Sequence, residues 1–289
     1  MSLRLKNITK SYGKRIILNN VNFELKSGIY GLLGANGVGK TTLFKLISGF
    51  TTDYSGEIVY PKLSNSNEVL LGFLPQNFTG YPHMTIQEFL VYIGNIKSNV
   101  SQSRINKEIN EKMELFGLRE FKNKKLKNLS GGQLRRVGLA QAFLLNPKIV
   151  MLDEPTTGLD PTERIKFKNF ISEFAREQTI LISTHIVSDL EFISKEIFIL
   201  KNGKFVMSGT EKELLDRCSD CVWETSFQNE MELHKELKNC TISMIYEEGN
   251  SIKARVISKE MPTPNAKKIS PNLNDVYLFN FKKEAKLNA

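Results

Sequence analysis

The spacing Gly34-Ala35-Asn36-Gly37-Val38-Gly39-Lys40-Thr41 is G-x-x-x-x-G-K-T, and the chemistry those residue types support is phosphate binding. Glycines let successive backbone N–H groups curl around phosphate oxygens, the lysine brings an ammonium to the terminal phosphates, and the threonine hydroxyl beside it can hold Mg²⁺. Its flanks are the ones this chemistry needs. The apolar run IYGLLG reads as a buried strand leading into the loop, and TTLFKLISGF follows with apolar residues at helical spacing until Gly49. Gly34, Asn36, Gly37, Gly39, Lys40, Thr41 and Thr42 are therefore expected to surround the phosphates of ATP. A glycine turn with a chance Gly-Lys-Thr would lack both flanks.

A second set of reactive residues lies at Lys148–Glu154. Ile149, Val150, Met151 and Leu152 form a short buried strand that delivers Asp153 and Glu154 to its carboxyl end, the edge at which open α/β sheets bind ligands. Asp153 is expected to hold Mg²⁺ through water, and Glu154 to orient and polarise the attacking water. An acidic turn before Pro155 is the plain alternative, and the phosphate loop elsewhere in the chain outweighs it.

The elements that position these groups follow from pattern. LRLKNITKSYG and ILNNVNFELKSG read as strands closed by turns at Gly13 and Gly28, ILIST as a buried strand, and EIFIL with KNGKFVMSGT as a hairpin about Asn202-Gly203. From Thr85 to about Phe121 the pattern is helical. After about residue 210 glycines nearly vanish and strand and helix patterns mix, so a boundary is placed there. The 289 residues, 40% apolar and 25% charged, suit one globular domain with a small appendage. No run is long and apolar enough to cross a bilayer or serve as a signal peptide, so a cytosolic chain is expected.

Leu129-Ser130-Gly131-Gly132-Gln133, between the phosphate loop and the acidic strand, resembles the signature of ATP-binding cassette (ABC) transporter subunits. On chemistry alone Ser130 caps a helix whose glycine N–H groups can face an anion. The resemblance covers residues 1 to about 210. It implies an α/β phosphate-loop ATPase core with a helical insert at about 77–136 and a small α+β appendage at 211–289. It also implies that Tyr12 stacks on adenine and that Gln76 touches Mg²⁺ and the transport subunit. By the same likeness Ser130, Gly132 and Gln133 meet nucleotide, Asp160 communicates across a dimer, and His185 contacts the γ-phosphate. The metal set so implied is Thr41, Gln76 and Asp153, and the catalytic set Glu154, His185, Gln76 and Lys40.

The same resemblance implies partners: a second copy joined through ATP, and separate membrane permease subunits, with the chain on the cytoplasmic face of the membrane. Tyr81-Pro82-His83-Met84-Thr85, EPTTGLDP at Glu154–Pro161 and PNLNDVYL at Pro271–Leu278 resemble the subclass that exports antibiotics, peptides or polysaccharides. A formal charge of +9 permits a soluble ATPase acting on ribosomes or nucleic acid instead. The single phosphate loop and lack of sustained heptads argue against it, and no nucleic acid is expected. Glu154 argues against a sensor that binds ATP without turnover. Residues 97–136 hold 11 Lys and Arg against 4 Asp and Glu, either a solvated face or one turned to an anionic leaflet. Cys218-x-x-Cys221 with His234 and Cys240 stands near zinc-site spacing, and small apolar filling serves equally well.

Overall fold

The computed structural model describes residues 2–65 and 68–281. Strands β1 (Leu3–Tyr12) and β2 (Arg15–Leu25) form a hairpin, and β3 (Gly28–Leu33) runs into the phosphate loop and α1 (Lys40–Ile47). Then come β4 (Ser55–Val59), β5 (Leu71–Leu74), α2 (Ile86–Lys97), α3 (Gln102–Leu115), α4 (Gly131–Phe143), β6 (Ile149–Asp153), α5 (Pro161–Phe174) and β7 (Thr179–Thr184). The hairpin β8 (Glu196–Lys201) and β9 (Lys204–Gly209) precedes α6 (Glu211–Asp216), β10 (Val222–Phe227), α7 (Glu230–Glu236), β11 (Thr241–Glu248), β12 (Ser251–Ile257), β13 (Lys267–Lys268) and α8 (Leu273–Phe281). Asn202 and Gly203 both take left-handed backbone, φ 49° and 73°, as a two-residue hairpin turn requires.

The central sheet, β5-β6-β7-β3-β8-β9, is parallel except for its last strand. Because side chains alternate along a strand, each central strand feeds two cores. Ile29 and Leu33 of β3, Val150 and Leu152 of β6, and Ile180 and Ile182 of β7 join the helical layer. Tyr30 and Leu32, Ile149 and Met151, and Leu181 face the other way, against α1 and the antiparallel sheet β2-β1-β4. Burying both faces explains why these strands read as continuous apolar runs. At Gly72 a Cβ would lie 1.9 Å from the carbonyl of Ala142, so glycine is what lets β5 press against α4.

The helical stretch read from Thr85 to Phe121 divides at 98–101 into α2 and α3, each with its own hydroxyl cap, Thr85 and Ser101. The expected end of the insert, residue 136, falls inside α4, whose later residues Val137, Leu139, Ala140 and Phe143 lie in the main core. Tail strands β10–β13 make a separate four-stranded sheet. The break near 210 marks a change of sequence style more than a gap between cores, since Leu214 and Cys218 after it, and Leu273, Val276 and Phe281 of α8, pack in the main core. Cys218 is buried there while Cys240 borders the small tail core. Among the described residues no three His, Cys, Asp or Glu side chains gather as a metal site would need.

Asp275 ties tail to core. Its carboxylate is buried and accepts from Nε and Nη2 of Arg255 at 3.0 and 2.6 Å, from Ser243 Oγ at 3.0 Å and from the backbone of Asn272 at 2.8 Å. The apolar side of the same helix belongs to the ATPase core. Thus α8 holds the tail sheet with one side and the core with the other.

Candidate active site

The phosphate loop begins where β3 ends and closes at the N-terminus of α1. Gly37 and Gly39 take φ 78° and 114°, and a Cβ on Gly39 would press on Leu18 and the carbonyl of Ile17 at 3.0 and 3.1 Å. Gly39 therefore needs glycine sterically as well as conformationally, and Gly37 for its left-handed backbone alone. Lys40 is buried and donates to the carbonyls of Gly34 and Ala35 at 2.6 and 3.1 Å, with its Nζ 3.7 Å from Oε1 of Glu154. Burial pulls its pKa below the ordinary lysine value, against the opposing pull of Glu154 and Asp153. Thr41 Oγ1 donates to Oδ2 of Asp153 at 2.9 Å, and Ser183 Oγ donates to Oδ1. The strand ends of β6 and β7 therefore fix the carboxylate against the start of α1.

Glu154 stands one residue beyond β6 with φ 50°, a left-handed backbone that costs a non-glycine residue about 1–3 kcal/mol and persists only where neighbours hold it. Its N–H donates to the carbonyl of Ser183 at 2.9 Å. Nδ1 of His185 lies 2.9 Å from both carboxylate oxygens, with hydrogen-bond geometry to Oε1 alone, so buried Oε2 lacks a hydrogen-bond partner. That orphaned acceptor, with the hard oxygens of Thr41 and Asp153 close by, suits a hydrated divalent cation and an attacking water.

A cleft of about 440 Å³ is lined by Asn36, Gly37, Gly39, Lys40, Thr41, Thr42, Gln76, Asp153 and Glu154, with Arg15 and Ile17 on its rim. The remaining expected residues do not line it. Tyr12, about half exposed, ends β1 with the Lys10 ammonium 4.7 Å over its ring. Ser130 caps α4, accepting from Gln133 N at 3.2 Å while the Gln133 side chain accepts from Ser130 N at 3.1 Å. Gly132 faces Glu163 of α5, the helix that Asp160 caps by accepting from Glu163 N at 2.8 Å. One chain thus assembles a phosphate cradle with a carboxylate pair, and keeps its signature turn elsewhere.

Three contributors escaped the pattern reading. Ser183 is the one hydroxyl inside the ILIS apolar run, a signal that a polar partner must lie beside it. Asp189, buried after His185, accepts from Thr156 and from Thr184 at 3.1 Å, bracing the turn after Glu154 against the turn after His185. Arg135 sits in the basic stretch that reads either as a solvated face or as one turned to an anionic leaflet, yet it is buried and all its bonds go to backbone carbonyls beside the site.

An open α/β sheet with a phosphate loop, a strand-end Asp-Glu pair and a histidine on the glutamate defines a nucleoside-triphosphatase. Comparison with known proteins narrows this. The profile of the family described as "ABC transporter" matches residues 18–157. The "Uncharacterized ABC transporter ATP-binding protein YxlF" of Bacillus subtilis (strain 168) is 31% identical over 96% of this chain and 98% of its own length. "Linearmycin resistance ATP-binding protein LnrL" of the same organism is 33% identical over 74% of this chain and 71% of its own. A "Probable sulfate/thiosulfate import ATP-binding protein CysA" of Chlorella vulgaris is 34% identical over 75% of this chain and 94% of its own. Among solved structures, a dimeric bacterial ABC transporter cassette, MJ0796, superposes with TM-score 0.64 at 27% identity over 72% of this chain and 97% of its own. The same cassette is also known in a post-hydrolysis state bound to ADP and Pi. The chain belongs to the ABC transporter family, as an ATP-binding, ATP-hydrolysing subunit.

Proposed function

We propose that this subunit powers export of a substrate, such as a peptide, antibiotic or polysaccharide, through a separate membrane permease. Residues 1–210 carry the ATPase chemistry and 211–289 are accessory to it. Two copies bind two ATP molecules between them, the cradle of Gly34–Thr42 in one copy facing Ser130, Gly132 and Gln133 of the other, with Asp160 at the junction and Tyr12 against adenine. The observation that carries this reading is the strand-end pair, with Asp153 held by Thr41 and Glu154 held by His185 at 2.9 Å each. Lys40 and the loop N–H groups take the phosphate charge. Glu154 accepts a proton from water as its oxygen attacks the γ-phosphorus and the bond to the bridging oxygen breaks, releasing ADP and phosphate. His185 keeps that carboxylate oriented, and the family resemblance gives it the further role of contacting the γ-phosphate. Thr41, Asp153 and Gln76 would hold Mg²⁺, which supplies neutralisation of charge on the β- and γ-oxygens.

A relative named for Nod factor export supports the outward direction, relatives named for linearmycin resistance and lantibiotic transport support the kind of substrate, and relatives named for sulfate and iron import point the other way, so direction is what the experiment reads. Among the described residues no helix is long and apolar enough to cross a membrane, so transport requires a membrane partner. The test is to purify the chain with the membrane protein that co-isolates and rebuild both in vesicles with the cassette outside. ATP-driven accumulation inside those vesicles is expected for an exporter, because their lumen stands for the cell exterior. ATP-driven loss of preloaded cargo would reverse the direction.

A further inference from the structure

Arg135 spends every donor it has on the backbone of two loops. Its guanidinium offers five N–H groups in a rigid planar fork. Nε donates to the carbonyl of Pro155 at 3.0 Å, and Nη1 to those of Pro75 and Gln76 at 3.2 and 3.0 Å. Nη2 donates to Asp153 O at 2.8 Å and to Glu154 O. Parallel pairing sets Leu74 beside Leu152, so these carbonyls lie at and just beyond two adjacent strand ends, from Asp153, the last residue of β6, to Pro155 and from Pro75 to Gln76 after β5. The side chain is buried, and burial lowers its pKa to about 10 despite Asp153 and Glu154 nearby.

Carbonyls this close to a sheet could be satisfied by water or neutral amides, so a buried cation here needs a further reason. The three consecutive carbonyls of Asp153, Glu154 and Pro155 bracket the residue whose φ is 50°, a conformation that neighbours must enforce. The same fork holds the peptide of Gln76, which lines the cleft. Its own helix is the one Ser130 caps.

We propose that Arg135 is a positioning residue for hydrolysis: it locks the peptides of Gln76 and Glu154 to α4 as one rigid unit, so that the carboxylate is aimed only when that helix is in place. The inference rests on reading Glu154 as the base. Lysine, with three donors and no plane, cannot span five carbonyls, and glutamine reaches fewer. In purified full-length chain, Arg135→Lys and Arg135→Gln are expected to lower kcat by about 10- to 100-fold, the scale of misplacing a catalytic group by an ångström, while Mg-ADP affinity stays within about twofold. Lysine should retain more turnover than glutamine. Since Arg135 acts largely through Glu154, adding Arg135→Lys to Glu154→Gln should lower the small residual rate by much less than the same change costs the wild-type chain.

A folded Arg135→Lys chain with turnover within about threefold of wild type would overturn the proposal, as would equal losses in kcat and Mg-ADP affinity. So would a full Arg135 penalty on top of Glu154→Gln, or loss of the folded state in both variants, which would make the residue one of stability alone. Wild-type turnover in Glu154→Gln by itself would sink the reading of the base. A dead Glu154→Gln beside an active Arg135→Lys would sink the positioning role only.

Discussion

At the scale of single residues the proposed reading separates groups that bind from a group that reacts. If Lys40 meets phosphate charge before and during hydrolysis, as proposed, Lys40→Ala should weaken Mg-ATP binding and turnover together, as read by nucleotide titration and phosphate release. Glu154, as the proposed base, would matter when water is deprotonated. Glu154→Gln should keep ATP binding and lose about 10²- to 10⁴-fold in turnover; a rate within twofold of wild type would exclude it as the base. The gathering of Lys40, Thr41, Asp153 and Glu154 at one cleft was legible in the sequence because local spacing sets it: a tight loop needs glycine at its turns, and a strand carries its last residues to the sheet edge. Arg135, Ser183 and Asp189 were not. Most of their partners are carbonyls and side chains 18 or more residues away, so no local spacing announces them, and Arg135 in particular follows a run of exposed lysines at Lys122, Lys124, Lys125 and Lys127.

Elements were legible where one rule governed them. The central strands have both faces buried and read as apolar runs; the hairpin at Asn202-Gly203 is set by two left-handed residues. Boundaries failed where tertiary contacts cut across sequence style, as in α4, which begins in the insert and ends under the sheet, and in α6 and α8, which follow the compositional break and still pack on the ATPase core. Pro271–Leu278, noticed as a family likeness, thereby gains a physical role: Asn272 caps α8 and Asp275 carries the buried bond to Arg255. Removing Asp275 strips Ser243, the backbone of Asn272 and a partly exposed Arg255 of their shared acceptor, while Arg255 keeps the carbonyl of Ser270, so Asp275→Ala should cost about 1–3 kcal/mol in urea unfolding. Replacing both, as Asp275→Leu with Arg255→Met, should cost less, since neither charge then remains.

For the whole molecule, the cleft of one chain holds the cradle and the carboxylates and lacks its signature turn. If two copies share each nucleotide, Lys40→Ala and Ser130→Arg chains, each inactive alone, should recover activity on mixing, because one site of the mixed dimer carries both lesions and the other none. For independent sites each mixed dimer should reach up to about half the turnover of a wild-type dimer, so a randomly paired equal mixture should recover about a quarter. A dead mixture, with mixed dimers shown to form and nucleotide held by the Lys40 chain never cross-linking to Ser130 of the other chain, would refute sharing. The seating of α8 also bears on how the protein is born. A ribosome adds about 5–20 residues per second, so once β9 has been made, roughly 4–14 s pass before α8 exists to cover Leu214 and its neighbours. In that interval the nascent chain already holds every phosphate-binding residue beneath an unroofed apolar patch, which is the period when a chaperone, or early ATP, would decide its fate.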